Sequence, residues 1–245
     1  MIKIKSYGSG SKGNMYLVSN HNTNIILECG FDYDSILTML NENNITFKDI
    51  NACFTSHFHI DHSMSIKTLD ELGIPCYCTY ETKNRYNISH NNSIELQDNK
   101  IYKINSIQIL SFIVDHGQCE CYGFILKDKD SLILFATDFK KCDKNLKKFA
   151  FNEVFIECNY VEELLVYNKE HVEDEFNKKY YRQINTHMEL ENLIIHLKEM
   201  NLEQCDKITL IHISQDVGDS KFMKRKIERE FGIECVALLP NGEEY

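Results

Sequence analysis

Ser56-His57-Phe58-His59-Ile60-Asp61-His62 follows the apolar run Ala52–Thr55 without a break. Three imidazoles and a carboxylate crowd the end of a short β-type segment. Packing gives such a run little to do, because histidine is a weak core residue and a buried polar group without a partner costs stability. Imidazole nitrogens and carboxylate oxygens are, by contrast, the atoms that bind zinc-like divalent ions, at about 2.0–2.2 Å. In an extended or tightly turned segment His57 and His59 share one side, and Asp61 and His62 are directed to a neighbouring position. That arrangement suits two metal ions better than one.

The rest of the chain fits a globular protein. Of its 245 residues 43% are hydrophobic and 26% charged, which excludes disordered and collagen-like chains. No run reaches the roughly 18–20 apolar residues that span a bilayer. The opening segment MIKIKSYGSGSKGN alternates like a strand and lacks the apolar core of a signal peptide. A cytoplasmic protein with no membrane partner is therefore expected. The net charge of −10 argues against a general nucleic-acid coat but leaves room for local basic patches. The ten cysteines read as reduced thiols. The Cys76/Cys78 and Cys119/Cys121 pairs each share a strand face but lack zinc-type spacing.

No repeat and no Gly/Ser/Pro-rich linker divides the sequence, so one domain over residues 1–245 is expected. Short runs bounded by turn formers predict strands at Ile2–Ser6, Met15–Ser19, Asn24–Glu28, Ala52–Ser56, Pro75–Thr79, Ile107–Val114, Tyr122–Lys127 and Leu132–Ala136. Further strands are predicted at Glu153–Glu157, Lys207–Ile213 and Glu234–Leu239. Helical patterns fall at Ser35–Leu40 and Ser65–Leu72. Thr186-His-Met-Glu189 reads as a capping box opening a helix, with Leu190, Leu193, Ile194 and Leu197 on one face. A second helix is expected from Ser220 to Gly232.

HxHxDH is the signature of the metallo-β-lactamase superfamily, and nearly the whole chain resembles that family. Within it the sequence most resembles the YycJ/WalJ branch. The matching segments are Gly8-Ser-Gly-Ser-Lys-Gly-Asn14, Ile25-Ile-Leu-Glu-Cys-Gly30, Phe112–Phe124, Val154-Phe-Ile-Glu-Cys-Asn-Tyr160 and Ile211-His-Ile-Ser214. Glu28 stands where aspartate is usual, and Thr186-His-Met-Glu replaces a GHLSN-like segment. The resemblance implies an α/β fold, a four-layer αββα sandwich, with further ligands at later strand ends. His116, Asp138 and His212 occur in the expected order, each where an apolar run meets a loop. Taken singly, each has an ordinary reading, as a core histidine or a turn-forming aspartate. The resemblance assigns His57, His59 and His116 to one divalent ion, and Asp61, His62 and His212 to a second. Asp138 would bridge the two, and Asp61 would also orient the attacking water. Such ligands suit Zn, Mn or Fe. Asp115 is either a support for His116 or a turn residue.

The resemblance also gives His187 a role, that of the histidine that phosphodiesterase relatives place beside the scissile phosphate, with Glu157 behind it. In the first turn of a helix His187 would also meet free N–H groups that favour an anion. Two basic clusters, Lys140/Lys141/Lys144/Lys147/Lys148 and Lys221/Lys224/Arg225/Lys226, are candidates for the rim of the same mouth. His21, His90, His171 and His196 receive no role. The implied function is a metal-dependent phosphodiesterase acting on nucleic acid: a DNA exonuclease, 5′ to 3′, with DNA preferred to RNA. The alternatives are a small-molecule hydrolase acting on a lactone, thioester or cyclic nucleotide, and a non-catalytic metal-binding regulator.

Overall fold

The apolar runs at Met15–Val18, Ile25–Cys29, Ala52–Phe54, Ile133–Ala136, Val154–Glu157 and Ile208–Ile211 become strands buried on both faces, whereas Ile107–His116 alternates between buried and exposed residues. The computed structural model describes residues 1–88, 92–171 and 181–245, so His90 lies outside the described residues. Its first sheet contains β1 (Lys3–Gly8), β2 (Met15–Asn20), β3 (Thr23–Cys29), β4 (Ala52–Phe54), β5 (Cys76–Cys78) and β6 (Ser93–Glu95), side by side in chain order. The second contains β7 (Ile101–Ile104), β8 (Ile107–His116), β9 (Cys119–Lys127), β10 (Leu132–Ala136), β11 (Glu153–Glu157), β12 (Lys207–Ile211) and β13 (Glu234–Ala237), again side by side in chain order. Strands β1 to β3 and β7 to β10 pair antiparallel; β3 to β6 and β10 to β13 pair parallel.

Alternation along each strand sorts the side chains into separate cores. Ile25, Leu27, Phe54, Phe124, Ile133 and Phe135 meet between the sheets. Their neighbours Ile26 and Cys53 face the other way, towards Ile36, Met39 and Leu40 of α1 (Tyr33–Glu42) and Leu69 of α3 (Ile66–Glu71). On the second sheet Ile125, Leu134, Val154 and Ile156 face outward, against Leu193 and Leu197 of α6 (Leu190–Lys198) and Met223 and Ile227 of α7 (Ser220–Phe231). The result is the expected αββα layering. Cys76 and Cys78 lie buried in the first-sheet outer core, as ordinary apolar filling. Between these elements lie α2 (Ile60–Ser63), α4 (Tyr80–Tyr86) and α5 (Glu162–His171). No helix among the described residues is long and apolar enough to cross a membrane.

Several elements differ from the expectation. The strand expected at Ala52–Ser56 ends at Phe54, which frees Ser56 and His57 for the site. Strands β6 and β7 and helix α4 were not predicted; each is short. The expected helix start at Thr186 is absent. Residues 181–186 are helical, Thr186 Oγ1 donates to Arg182 O at 2.7 Å, and His187 N donates to Gln183 O at 3.0 Å. The hydroxyl folds back onto its own helix, as serine and threonine do near helix ends. His187 therefore closes one helical segment, and the dipole argument for an anion there falls. Helix α6 starts at Leu190, and its N-cap is Glu189, whose carboxylate accepts from Asn192 N at 2.9 Å. Helix α7 ends as expected, with Gly232 left-handed at φ 66°.

Gly30 shows why β3 ends where it does. A Cβ there would lie 1.7 Å from the Asp61 carbonyl oxygen and 2.8 Å from His62 N. Gly30→Ala is expected to destabilise the fold by at least about 3 kcal/mol through this overlap. Because the displaced segment carries Asp61 and His62, metal affinity should fall in the same variant. Denaturant unfolding and metal titration would check both.

Candidate metal centre

The candidate residues converge at one end of the two sheets. His57 lies three residues past β4, and His59 is the N-cap of α2, which turns Asp61 and His62 back towards it. His116 ends β8, Asp138 follows β10 by two residues, Glu157 ends β11 and His212 follows β12. Asp138 and His212 have φ of 48° and 54°, and Glu28 at the end of β3 has 61°. The other non-glycine residues with positive φ among those described are asparagines, which tolerate that region. Three left-handed backbone conformations thus gather at one place, that of Glu28 being the costliest because aspartate and histidine visit this region more readily.

Two groups of ligand atoms share Asp138. In the first, His57 Nε2 lies 2.7 Å from His59 Nδ1, and His116 Nε2 lies 3.4 Å from the same atom. Asp138 Oδ2 is 3.8 Å from His57 Nε2 and 3.6 Å from His116 Nε2. In the second, Asp61 Oδ2 lies 3.5 Å from both His62 Nε2 and His212 Nε2. Asp138 Oδ1 faces that group, 3.3 Å from His62 Nε2 and 3.1 Å from His212 Nδ1. Tetrahedral ligands at about 2.0–2.1 Å from a metal stand roughly 3.3 Å from one another, close to the spacing found. A third set, Asp138, Glu157, His187 and His212, adjoins them.

Hydrogen bonds from several elements orient these rings, a feature that ligand sites depend on. His116 Nδ1 donates to Thr186 O at 2.8 Å, and His57 Nδ1 pairs with Ser56 Oγ at 2.9 Å. Glu157 Oε1 accepts from His187 Nδ1 at 2.7 Å and His212 Nδ1 at 3.0 Å, while Oε2 accepts from Phe139 N at 2.8 Å. Three supports were not assigned from sequence. Glu28 accepts from Ser56 N and lies 3.4 Å from His62 Nδ1. Asn14 Nδ2 sits 3.1 Å from His62 Nε2 and donates to Asp61 O. Ser9 Oγ accepts from His212 N at 2.8 Å. The sequence signal for Ser9 and Asn14 was the GSGSKGN loop itself. Asp115 does not touch the His116 ring; its carboxylate accepts from Gly117 N within the hairpin turn.

The model of the "Beta-lactamase superfamily domain" family matches residues 23–213. The chain belongs to the beta-lactamase superfamily. Solved structures with its metallo-β-lactamase fold include YhfI from Bacillus subtilis, at TM-score 0.76 and 15% identity over 100% of this chain and 99% of that one. Zn²⁺-bound PqqB from Methylobacterium extorquens aligns at TM-score 0.72 and 12% identity, covering 99% of both chains. A diphosphatase of the PhnP family aligns at TM-score 0.67 and 15% identity, covering 100% of this chain and 98% of that one. No curated protein matches. Members of the superfamily are mostly metal-dependent hydrolases.

The electrostatics of this superfamily member fit divalent ions. Burial holds His57 well below the usual imidazole range and His59 down to about 4, so both are neutral and able to ligate at pH 7. Burial opposes charge on His62 and His212 too. There the carboxylates of Asp138, Asp61, Glu28 and Glu157 overcome it, raising His62 well above its ordinary value and His212 to about 10. The buried His212 Nε2 has no hydrogen-bond partner. Carboxylates that favour positive charge, around a ring nitrogen that lies 3.5 Å from Asp61 Oδ2 without a hydrogen bond, are what a cation would satisfy.

Loading metal at pH 7 is therefore expected to release about one to two protons per chain, from His62 and His212. Calorimetry in buffers of different ionisation enthalpy would measure this; uptake without release would contradict it. The raised His212 also sets a sign for the metal-free protein. Its stabilising charge is fully present below 6.5 and is lost as pH rises through about 10. His59 acts oppositely, costing stability as pH falls from 6.5 through about 4.

All this opens into a cleft of about 840 Å³, lined by His59, Asp61, His116, Asp138, His187 and His212 and by Phe58, Ile60, Arg85 and Arg182. The two lysine-rich clusters do not line it. Lys141 and Lys144 line an adjoining depression beside Asp98, Asp115 and Asp143, with Lys141 2.6 Å from Asp143. Lys226 pairs with Glu191, and Lys221 stacks on Tyr245. Among the described residues, Arg85 and Arg182 are the lysine or arginine side chains that line the mouth.

Proposed function

We propose that the protein is a metal-dependent phosphodiesterase acting on nucleic acid, and that its branch resemblance makes it a DNA exonuclease working 5′ to 3′. The observation that carries this reading is the His187–Glu157 pair, set against both ligand groups in one cleft. His187 is 6% exposed and lines the cleft. Its Nδ1 is taken by Glu157 Oε1, which leaves Nε2 to face a substrate. Rings of His116 and His212 flank it at 5.2 and 5.4 Å between centroids.

His57, His59, His116 and Asp138 would hold one divalent ion, and Asp61, His62, His212 and Asp138 the other. Bound there, such ions supply charge neutralisation at phosphate and lower the pKa of water towards 7. Asp61 faces the cleft and accepts a hydrogen bond from the attacking water, orienting it on phosphorus. As the P–O bond to the leaving group breaks, His187 Nε2–H gives its proton to the departing oxygen. Glu157 fixes the ring tautomer by holding the Nδ1 proton and stabilises the imidazolium before transfer. Glu157 itself is ionised: burial would raise its carboxyl, but His187, His212 and backbone N–H groups hold it below the ordinary range.

A small-molecule hydrolase acting on a lactone, thioester or cyclic nucleotide is the second reading, and the structural likeness to a diphosphatase bears on its phosphorus-centred form. Protein loaded with Mn²⁺ or Zn²⁺ should be assayed against bis-p-nitrophenyl phosphate, end-labelled DNA and RNA, a cyclic nucleotide and a simple lactone. Release of mononucleotides from DNA supports the first reading. Turnover of the cyclic nucleotide or lactone with intact DNA supports the second. Metal uptake with no turnover of any substrate would sink both.

A further inference from the structure

We infer that Phe58, Ile60, Arg85 and Arg182 form a recognition site for single-stranded nucleic acid, in which an unstacked base packs on Phe58 and the arginines take phosphates flanking the scissile one. This rests on the phosphodiesterase reading above. Phe58 and Ile60 occupy the two variable positions of the HxHxDH run, between residues whose side chains face the ligand groups. Neither completes a core. Ile60 is 63% exposed in the cleft and Phe58 is only half-buried. Apolar side chains at the lip of a polar, histidine-rich site have no packing reason to be there, and an exposed apolar surface rimmed by polar groups marks contact with a ligand.

The backbone under Phe58 is fixed from outside its own loop, because Tyr86 OH donates to Phe58 O at 3.1 Å. One residue earlier on the same helix, α4, Arg85 lays its guanidinium 4.9 Å from the centre of the Phe58 ring. An aromatic ring carrying an arginine is a platform on which bases stack regardless of sequence. Arg182 enters from the other wall, the helical residues 181–186 that lead into His187. Both arginines are exposed, and neither makes an ion pair among the described residues. In a chain of net charge −10, guanidiniums on two separate elements of one cleft, neither in an ion pair among the described residues, are placed for phosphate, which they bind in fork geometry. A volume of about 840 Å³ admits one or two nucleotides, within the range of small-ligand clefts. A base still paired in a duplex could not reach Phe58, so the site demands an unpaired end.

The test uses the metal-loaded protein and a fluorescent phosphorothioate 10-mer, in DNA and RNA form, single-stranded or annealed. Single strand is expected to bind at least tenfold tighter than duplex. In the double variant Arg85→Gln/Arg182→Gln, Kd should rise at least tenfold, and the slope of log Kd against log salt should fall by about 1.4, the value for two lost phosphate contacts on a single strand. Phe58→Leu, which keeps the bulk, should weaken binding at least threefold with the salt slope held. Melting temperatures check that all variants fold. Duplex binding as tight as single strand, or a salt slope unmoved by losing both arginines, overturns the inference. Phosphodiester turnover by the unaltered protein is scored separately. Turnover with an unmoved slope defeats this subsite alone, whereas tight, arginine-dependent binding without turnover defeats the phosphodiesterase reading and keeps the subsite.

Discussion

Asp138→Ala is expected to reduce bound divalent metal from about two ions per chain to one or fewer, and to lower phosphodiester hydrolysis by at least about 1,000-fold. The size of the effect follows from its position. Its two oxygens divide between the two ligand groups, Oδ2 towards His57 and His116, Oδ1 towards His62 and His212. Removing both oxygens breaks both sets at once. It also leaves the four imidazoles of His57, His62, His116 and His212 facing one another with no anion at the centre, in a site where each is almost wholly buried. Asp138→Asn is the informative companion. It keeps one carbonyl oxygen, so it should retain more metal than alanine while losing most activity. Metal content by emission spectroscopy, activity on DNA and circular dichroism would be compared across the pair. Full activity in Asp138→Ala would remove the bridge from the mechanism.

The second large effect is expected at His187. His187→Ala should lower kcat on DNA by about 10²- to 10⁴-fold, the usual worth of a positioned acid. The loss should be much smaller on bis-p-nitrophenyl phosphate, whose leaving group departs without a proton. Bound metal should stay near the unaltered level, because His187 belongs to neither of the two ligand groups that share Asp138 as a bridge. Glu157→Gln should show a milder loss on DNA together with a basic limb of the pH–rate profile moved to lower pH, since the amide still holds the ring but no longer stabilises its charge. An equal loss on both substrates would mean that His187 acts on positioning and not on the leaving group.

How much of this was legible in the sequence depends on how local each signal is. His57, His59, Asp61 and His62 fall within six residues, so their convergence is nearly dictated by the short turn from β4 into α2. The apolar strand runs were legible for the same reason: β10 and β11 have the predicted bounds because Leu132–Ala136 and Glu153–Glu157 are buried on both faces. His116, Asp138 and His212 carry no local mark of their own; the family pattern and their order supplied them. Glu28 and Asn14 were not legible as supports, because their partners lie 28 to 48 residues away. The Thr186 capping box failed because the pattern cannot tell whether a hydroxyl will serve the next helix or the one just ended. The lysine clusters misled in another way. Sequence proximity to Asp138 and His212 does not place a side chain in the cleft when the chain turns away after the ligand.

The most direct test of the central claim, that two groups of side chains pivoting on Asp138 hold divalent ions, is anomalous scattering from crystals of metal-loaded protein at the zinc and manganese edges. The account predicts two peaks, one among His57, His59, His116 and Asp138, and one among Asp61, His62, His212 and Asp138. Crystals grown with excess metal that show no anomalous peak within about 2.5 Å of these atoms would contradict it.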